Sequence, residues 1–469
     1  MSREHIHFVT GRLAEQSLRR IVEQLAAQAD FAYSIEVLNI TVAALMTPDW
    51  IASRLHVEET TDRVILPGYC DGDLTPVEQT TGRSVERGPR DLRQLPEYFG
   101  KEAMVGEYGT STIEILAEIN HCPRLSLREI LDEAARLRTA GADVIDVGCD
   151  PGPPWSGVGK VISALVAEGH RVLIDSLNPA EIAPAVRAGA ELVLSVNRSN
   201  RDAAADWGCE VVAVPDTPSD SSSLDETIDY LQQANVPFRI DPVLEPIGFG
   251  FSQSLSRYLD VRRRYPKADM MMGIGNLTEL TDVDSAGVNV VLLGFCEELG
   301  ISSVLTTQVI NWARTSVQEC DLARRLVHYA VSQQALPKHI EPRLVTLRDE
   351  RVLPENRDDL DRLAAQLKDN NYRIFVCDSE VHLVTAGLHL SDADPFRLFQ
   401  KLLDARPTNL DPAHDFYLGY EMCKAATAAT LSKQYRQDES LDWGYLTRVE
   451  KHHRLSRTRA EDAGNTNEK

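Results

Sequence analysis

Between residues 111 and 320 the chain alternates short, almost wholly apolar runs with stretches whose apolar residues recur every three or four positions. The runs are IEILAEIN, ADVIDVG, RVLIDS, LVLSVN, EVVAVPD, PFRID, DMMMGIGN and ISSVLTT, and helical segments open between them near Ser126, Gly157, Pro179, Leu224, Ser252 and Val283. Apolar runs without polar alternation fit strands covered on both faces, as in parallel sheets. Each strand–helix unit takes roughly 25 residues, and eight such units close into a (β/α)8 barrel near the lower end of its usual size. The predicted fold class is therefore α/β with a central (β/α)8 TIM barrel at residues 106–325. An open doubly wound sheet is the alternative that such a beat alone leaves standing.

The flanks follow other rhythms. IHFVTG, FAYSIEVLN and DRVILPG alternate with amphipathic helices, which predicts a small N-terminal α/β domain at residues 1–105. Its last part, CDGDLTPVEQTTGRSVERGPRDLRQLPEYFG, is rich in turn residues and charge and reads as a long connection. After a linker near LPKHIEPRL, a C-terminal α+β domain is expected at 340–450, with a strand pair in YRIFVCDSEVHLVTAG and two helices. The polar residues 451–469 read as a flexible tail.

Barrel enzymes carry their reacting groups where strands end. Here those ends offer Glu118 and Asn120, Asp146, Asp175 and Ser176, Asn197, Asp216, Asp241 and Asn276. Taken singly, short polar residues at strand ends also cap the following helices. Taken together, several carboxylates at one mouth repel one another unless a donor-rich ligand, a cation or a retained proton relieves them. A pterin has such a donor edge, an amine and a ring N–H that a carboxylate accepts as a pair, and its acceptors suit an Asn amide. A divalent cation such as magnesium is the alternative ligand.

Composition narrows the partners. With 71 acidic and 49 basic residues the formal charge is −22, which disfavours nucleic acid and anionic membrane surfaces and favours small-molecule chemistry. The eight cysteines are scattered, without CxxC or a Cys/His cluster, so free thiols and no structural metal site are expected. The start, MSREHIHFVTGR, has no apolar leader run, no stretch reaches the roughly 18 apolar residues of a membrane span, and a cytoplasmic location is expected.

At GADVIDVG and RVLIDSLNPAEIAPAVRAGAELVLSVN, with EIN at 118–120, DPVLEPIGFGF at 241–251 and GIGN at 273–276, the chain resembles the pterin-binding barrels, which comprise dihydropteroate synthases and pterin-dependent methyltransferases. The resemblance covers the barrel. It implies a reduced pterin as substrate or cofactor, bound by Asn120, Asp146, Asp175, Asn197, Asp241 and Asn276, with Asp241 and Asn276 as the candidates for the chemistry. Dihydropteroate synthases carry a Ser-Arg-Lys signature after strand seven and an Arg at strand eight. This chain reads GIGNLTE and SVLTTQV there. GIGN looks more like the methyltransferases, whose Asn lies near pterin N5, although no corrinoid-binding segment is recognisable.

Over its whole length the chain is most similar to dihydropteroate-synthase-related proteins of methanogenic archaea and C1-metabolising bacteria. VTGRLAE, ILPGYCDGDL, RGPRDLRQLPEYFG, YLGYEMCKA and YRQD carry that similarity. It implies a transferase in tetrahydromethanopterin or folate-type one-carbon metabolism, joining a pterin to an arylamine. Methyl transfer from a 5-methyl-tetrahydropterin to an acceptor and non-catalytic pterin binding are the alternatives. Arg83, Arg87, Arg90 or Lys424 could supply the cations that the barrel lacks, and a homodimer is an assembly to test. Among lesser features, Gly11 could open a phosphate-cradling turn and Trp155 could cover a ligand. Tyr417, Tyr420, Glu421 and Lys424 share a helix face, and Cys70 and Cys149 lack a nearby His.

Overall fold

The computed structural model describes residues 3–101, 108–338, 340–344, 347–349, 351–443 and 447–450. The expected boundary near residue 105 and the tail 451–469 lie outside them. The chain divides into two compact units, residues 1–112 with 324–341, and residues 113–323 with 342–469.

The first unit is built on a parallel sheet of β1 (His5–Gly11), β2 (Ala32–Leu38), β3 (Arg63–Leu66) and β4 (Ser84–Arg87), in the order β2-β1-β3-β4. Ile6, Phe8 and Ile65 pack with Leu18, Val22 and Leu25 of helix Glu15–Ala29. The segment read as a long connection holds helix Thr75–Thr81, strand β4 and the short helix Leu95–Tyr98. β4 was illegible because it has four residues and only Val85 of them is buried.

The second unit contains eight parallel strands: β5 (Glu114–Ile119), β6 (Val144–Gly148), β7 (Val172–Asp175), β8 (Leu192–Val196), β9 (Glu210–Ala213), β10 (Phe238–Ile240), β11 (Met271–Gly273) and β12 (Ser303–Thr306). They pair in the order β10-β9-β8-β7-β6-β5-β12-β11, and a parallel bridge from Ile240 to Met270 joins the two ends. The result is the expected (β/α)8 barrel, closed rather than open. Leu116, Val144, Leu173, Leu192, Leu194, Val212 and Met271 fill its interior as a packed core. In the same unit β13 (Arg373–Cys377), β14 (Glu380–Thr385) and β15 (Leu388–Asp392) form an antiparallel sheet with helices Arg357–Gln366, Pro395–Asp404 and Pro412–Leu431. The sheet has three strands where two were expected, because none of the five residues of β15 is fully buried and their pattern carries no strand signal. No described helix is long and apolar enough to cross a membrane.

The amino-terminal end of the barrel is tied by ion pairs. Arg239 reaches Glu210 at 2.7 Å, Glu114 at 3.1 Å and the Ser303 hydroxyl at 3.0 Å, and Arg171 binds Glu114 at 2.5 Å and Glu191 at 2.6 Å. One guanidinium thus spans four strands of the closed ring. Arg239→Ala leaves Glu114 without its better-buried partner, and the expected loss in urea denaturation is ~2–3 kcal/mol, below a fully buried pair because both glutamates keep some solvent. A loss under ~0.5 kcal/mol would show that the ion pairs are not what ties this end.

Candidate functional site

The opposite end gathers the candidate residues, and the first question is whether they merely cap helices. Those caps are other residues. Ser126 forms a capping box with Glu129, Asn178 accepts from Ala180 N at 3.0 Å, and Asp220 accepts from Ser223 N at 3.1 Å. Asp146 and Asp175 cap nothing. With Glu118 they form one cluster, each offering an oxygen within 4.8 Å of the others.

Asp146, on β6, is fully buried, and neither of its carboxylate oxygens has a hydrogen-bond partner among the described residues. Burial, then Asp175 and Glu118, push its proton affinity well above the usual carboxylate range. Burial and the charges of Asp175 and Glu279 raise the Glu118 carboxyl to about 7. Asp175, raised by burial, has a long contact from Ser195 Oγ at 3.5 Å. The Oδ1 of Asn120 is buried and likewise unpartnered among the described residues. Among the described residues the long Ser195 contact is the one side-chain hydrogen bond to the Asp146–Asp175 pair.

Asp241 is held differently. Its Oδ1 accepts from Tyr258 Oη at 2.5 Å and from Val243 N at 2.8 Å. Burial raises its carboxyl to about 6, while the Tyr258, Val243 and Gly273 donors and Arg257 pull it back. Asn276 lies beside it: a Cβ placed on Gly273 would sit 3.7 Å from Asn276 Nδ2 and 3.8 Å from Asp241 Oδ2. Contrary to the strand-end reading, Asn276 is not on β11, which stops at Gly273. It sits in the one-turn helix Gly275–Thr278 and donates to Leu244 O at 3.0 Å. Asn197 turns its Oδ1 onto Ser199 N at 2.9 Å and Ser199 Oγ at 2.7 Å, so that oxygen serves its own loop. Asp216 accepts from Arg198 N of the neighbouring loop, after β8, at 3.2 Å.

Two backbone features frame the mouth. Ser195 (φ 66°), at a register shift in β8, and Val243 (φ 69°) both occupy the left-handed region. For a β-branched residue this conformation is strained, and such strain gathers at functional sites. Sequence reasoning missed Tyr258, Glu279 and the buried Gln308 Oε1, which has no partner among the described residues. Tyr258 comes from mid-helix, where no strand-end rule points. Glu279 and Gln308 follow β11 and β12 and were readable as polar residues in strand-to-helix loops.

Other candidates resolve into structure. Trp155 lies against Gly157 of its own loop, and its backbone N–H donates to Glu181 Oε1 at 2.7 Å. Lys424 is buried between Glu421 and Glu450, both at 2.9 Å, and is no free cation. Glu421 also accepts from Tyr435 at 2.7 Å, and Tyr417 donates to Asp438 at 2.9 Å, so YLGYEMCKA and YRQD bind each other. Arg83 binds Glu59 O, and Arg87 binds Cys70 O and Gly72 O, so both brace turns of the first unit. All eight cysteines are unbridged, and burial pushes the Cys70 and Cys149 thiols up, away from nucleophilic thiolates.

The fold and the mouth define a (β/α)8 barrel protein with a cluster of buried carboxyls at the carboxyl end of its strands. A profile described as a family of unknown function, DUF6513, matches residues 4–90. An uncharacterized protein of Methanocaldococcus jannaschii is 25% identical over 525 residues, spanning 93% of this chain and 98% of its own. Among solved structures, a Yersinia pestis dihydropteroate synthase with a sulfonamide drug complex is 18% identical, covers 47% of this chain and 94% of its own, and superposes with a TM-score of 0.39. A Xanthomonas albilineans dihydropteroate synthase in complex with 7,8-dihydropteroate is 19% identical, covers 48% of this chain and 94% of its own, and gives 0.35.

The raised carboxyls set a pH dependence. Free carboxyls titrate near about 4, so between about 4 and 7 the folded mouth keeps protons that the unfolded chain has released. Stability of the unliganded protein therefore falls as pH rises through that window. Glu118→Gln should flatten the fall in melting temperature between pH 5.5 and 8. An identical slope in wild type and variant would contradict the raised Glu118.

Proposed function

We propose that the barrel binds a reduced pterin at its carboxyl-end mouth and joins it to an arylamine. The observation that carries the reading is Asp146, buried with two oxygens that no described group satisfies. A buried acceptor left without a donor costs ~1–3 kcal/mol, and the two N–H groups of an aminopyrimidinone edge would offset that cost. The motifs at 118–120, 144–148, 241–251 and 273–276 support the same ligand.

In the condensation the amine nitrogen attacks the pterin methylene, a C–N bond forms as the C–O bond to pyrophosphate breaks, and the amine loses a proton. Glu118, with its carboxyl near 7, suits the base that takes it. Arg124, Arg198 and Arg257 near the strand ends are each paired with a carboxylate, so the leaving group's charge needs a further cation, which magnesium carried in by the pyrophosphate would supply. A second reading has the cluster of Glu118, Asp146 and Asp175 bind a divalent cation itself, favoured by oxygens within 4.8 Å of one another.

Calorimetry with 6-hydroxymethyl-7,8-dihydropterin pyrophosphate, a 5-methyl-tetrahydropterin and magnesium alone separates the readings. Tighter binding of the pyrophosphate is expected, with Asp146→Ala or Asp175→Ala weakening it by ~1–3 kcal/mol. A preference for the methyl compound would replace condensation with methyl transfer. Magnesium binding without any pterin binding would leave the metal reading in its place.

A further inference from the structure

The first unit carries a crevice of its own. In the order β2-β1-β3-β4 the direction of winding reverses between β1 and β3. Open parallel α/β sheets bind ligands outside the carboxyl ends of their strands at that point. A cavity of about 420 Å³ opens there, walled by loops that follow all four strands: Leu13 after β1, Val42 after β2, Tyr69 after β3 and Arg90 after β4. Leu13, Val42, Tyr69 and Leu336 are exposed apolar side chains that share this one cavity. A volume of that size suits a small organic ligand.

Its charge is opposite to that of the protein. Arg20, Arg90, Arg93 and Lys338 line it against the single carboxylate of Asp91, in a chain of formal charge −22. Arg93 is spent on Asp91 at 2.9 Å, and Arg20 donates to Gln333 O at 3.0 Å. Arg90 lies over the Tyr69 ring at 5.3 Å, and neither it nor Lys338 has a carboxylate partner among the described residues. Two of the sequence motifs meet to build this wall. A Cβ on Gly68 would fall 2.4 Å from Pro89 C and 2.5 Å from Arg90 N, so only glycine lets ILPGYCDGDL touch RGPRDLRQLPEYFG. The turn after Gly11 is not a phosphate cradle, because the N–H groups of Arg12 and Leu13 already go to Ile40 O and Thr41 O.

We propose that this crevice binds a planar aromatic ring carrying a phosphate monoester, with the ring against Leu13, Val42 and Tyr69 and the phosphate held by Arg90 and Lys338. Two cations lining one cavity without carboxylate partners among the described residues match a dianion, and a guanidinium can take two phosphate oxygens at once. The inference stands apart from the barrel reading, since every residue it uses lies in the first unit.

Ligand-observed NMR and calorimetry on the full-length chain, with AMP, FMN and phenyl phosphate as probes, test it. At least one ester should bind with a dissociation constant below about 1 mM, and its dephosphorylated counterpart at least about tenfold more weakly. Arg90→Ala, at an exposed position, should cost about tenfold or more, and Leu13→Trp, which fills the mouth from another exposed position, should block binding. The proposal is overturned if none of the three esters binds at about 1 mM, if both variants bind as wild type does, or if inorganic phosphate alone binds as tightly as the esters.

Discussion

Closing eight parallel strands into a ring sends every carboxyl end to the same rim, and at that rim the protein keeps a buried carboxyl with no hydrogen-bond partner among the described residues. The other features of the mouth turn on that constraint. Burial, Asp175 and Glu118 raise the proton affinity of Asp146, the three carboxyls share one cluster, and the oxygens of Asn120 and Gln308, without a partner among the described residues, extend the same shortage of donors. A protein selected for stability alone would replace such a group with an apolar residue or give it a partner.

The two ends of the barrel show the same side-chain chemistry used in opposite ways. At the amino-terminal end Glu114, Glu191 and Glu210 meet Arg171 or Arg239 at 2.5–3.1 Å, which ties the ring. At the mouth the arginines pair with Asp150, Asp216 and Glu245 in the loops and leave the inner carboxylates alone. The division agrees with the general habit of such barrels, which keep stability at one face and chemistry at the other.

The barrel was legible because its strands are covered on both faces and read as apolar runs, and because a period of 25 or so residues repeated eight times leaves few other architectures. Asp175 and Asp241 were legible for the same reason, since each closes its run, whereas Asp146, read as a strand end, lies in the middle of β6 with Val147 and Gly148 after it. What escaped lies where pattern is weak. β4 buries one residue of four, β15 none, Tyr258 sits in a helix, and Asn276 was assigned to a strand that ends three residues earlier. The arginines offered as cation donors were judged by charge, and charge alone does not reveal that Arg87 is tied to Cys70 and Gly72 or Lys424 to Glu421.

The most direct test of the account is the proton balance of pterin binding. Titrating 7,8-dihydropterin at pH 6.5 into the full-length protein, in two buffers of different ionisation enthalpy, measures how many protons leave when the ligand enters. Because the N–H donors of the ring stabilise the ionised form of carboxyls whose proton affinity burial and neighbouring carboxyls raise, binding should release protons, and Asp146→Asn should lower the number released. Binding without proton release, or no binding of the pterin at all, would contradict the claim that the mouth holds its carboxylates for such a ligand.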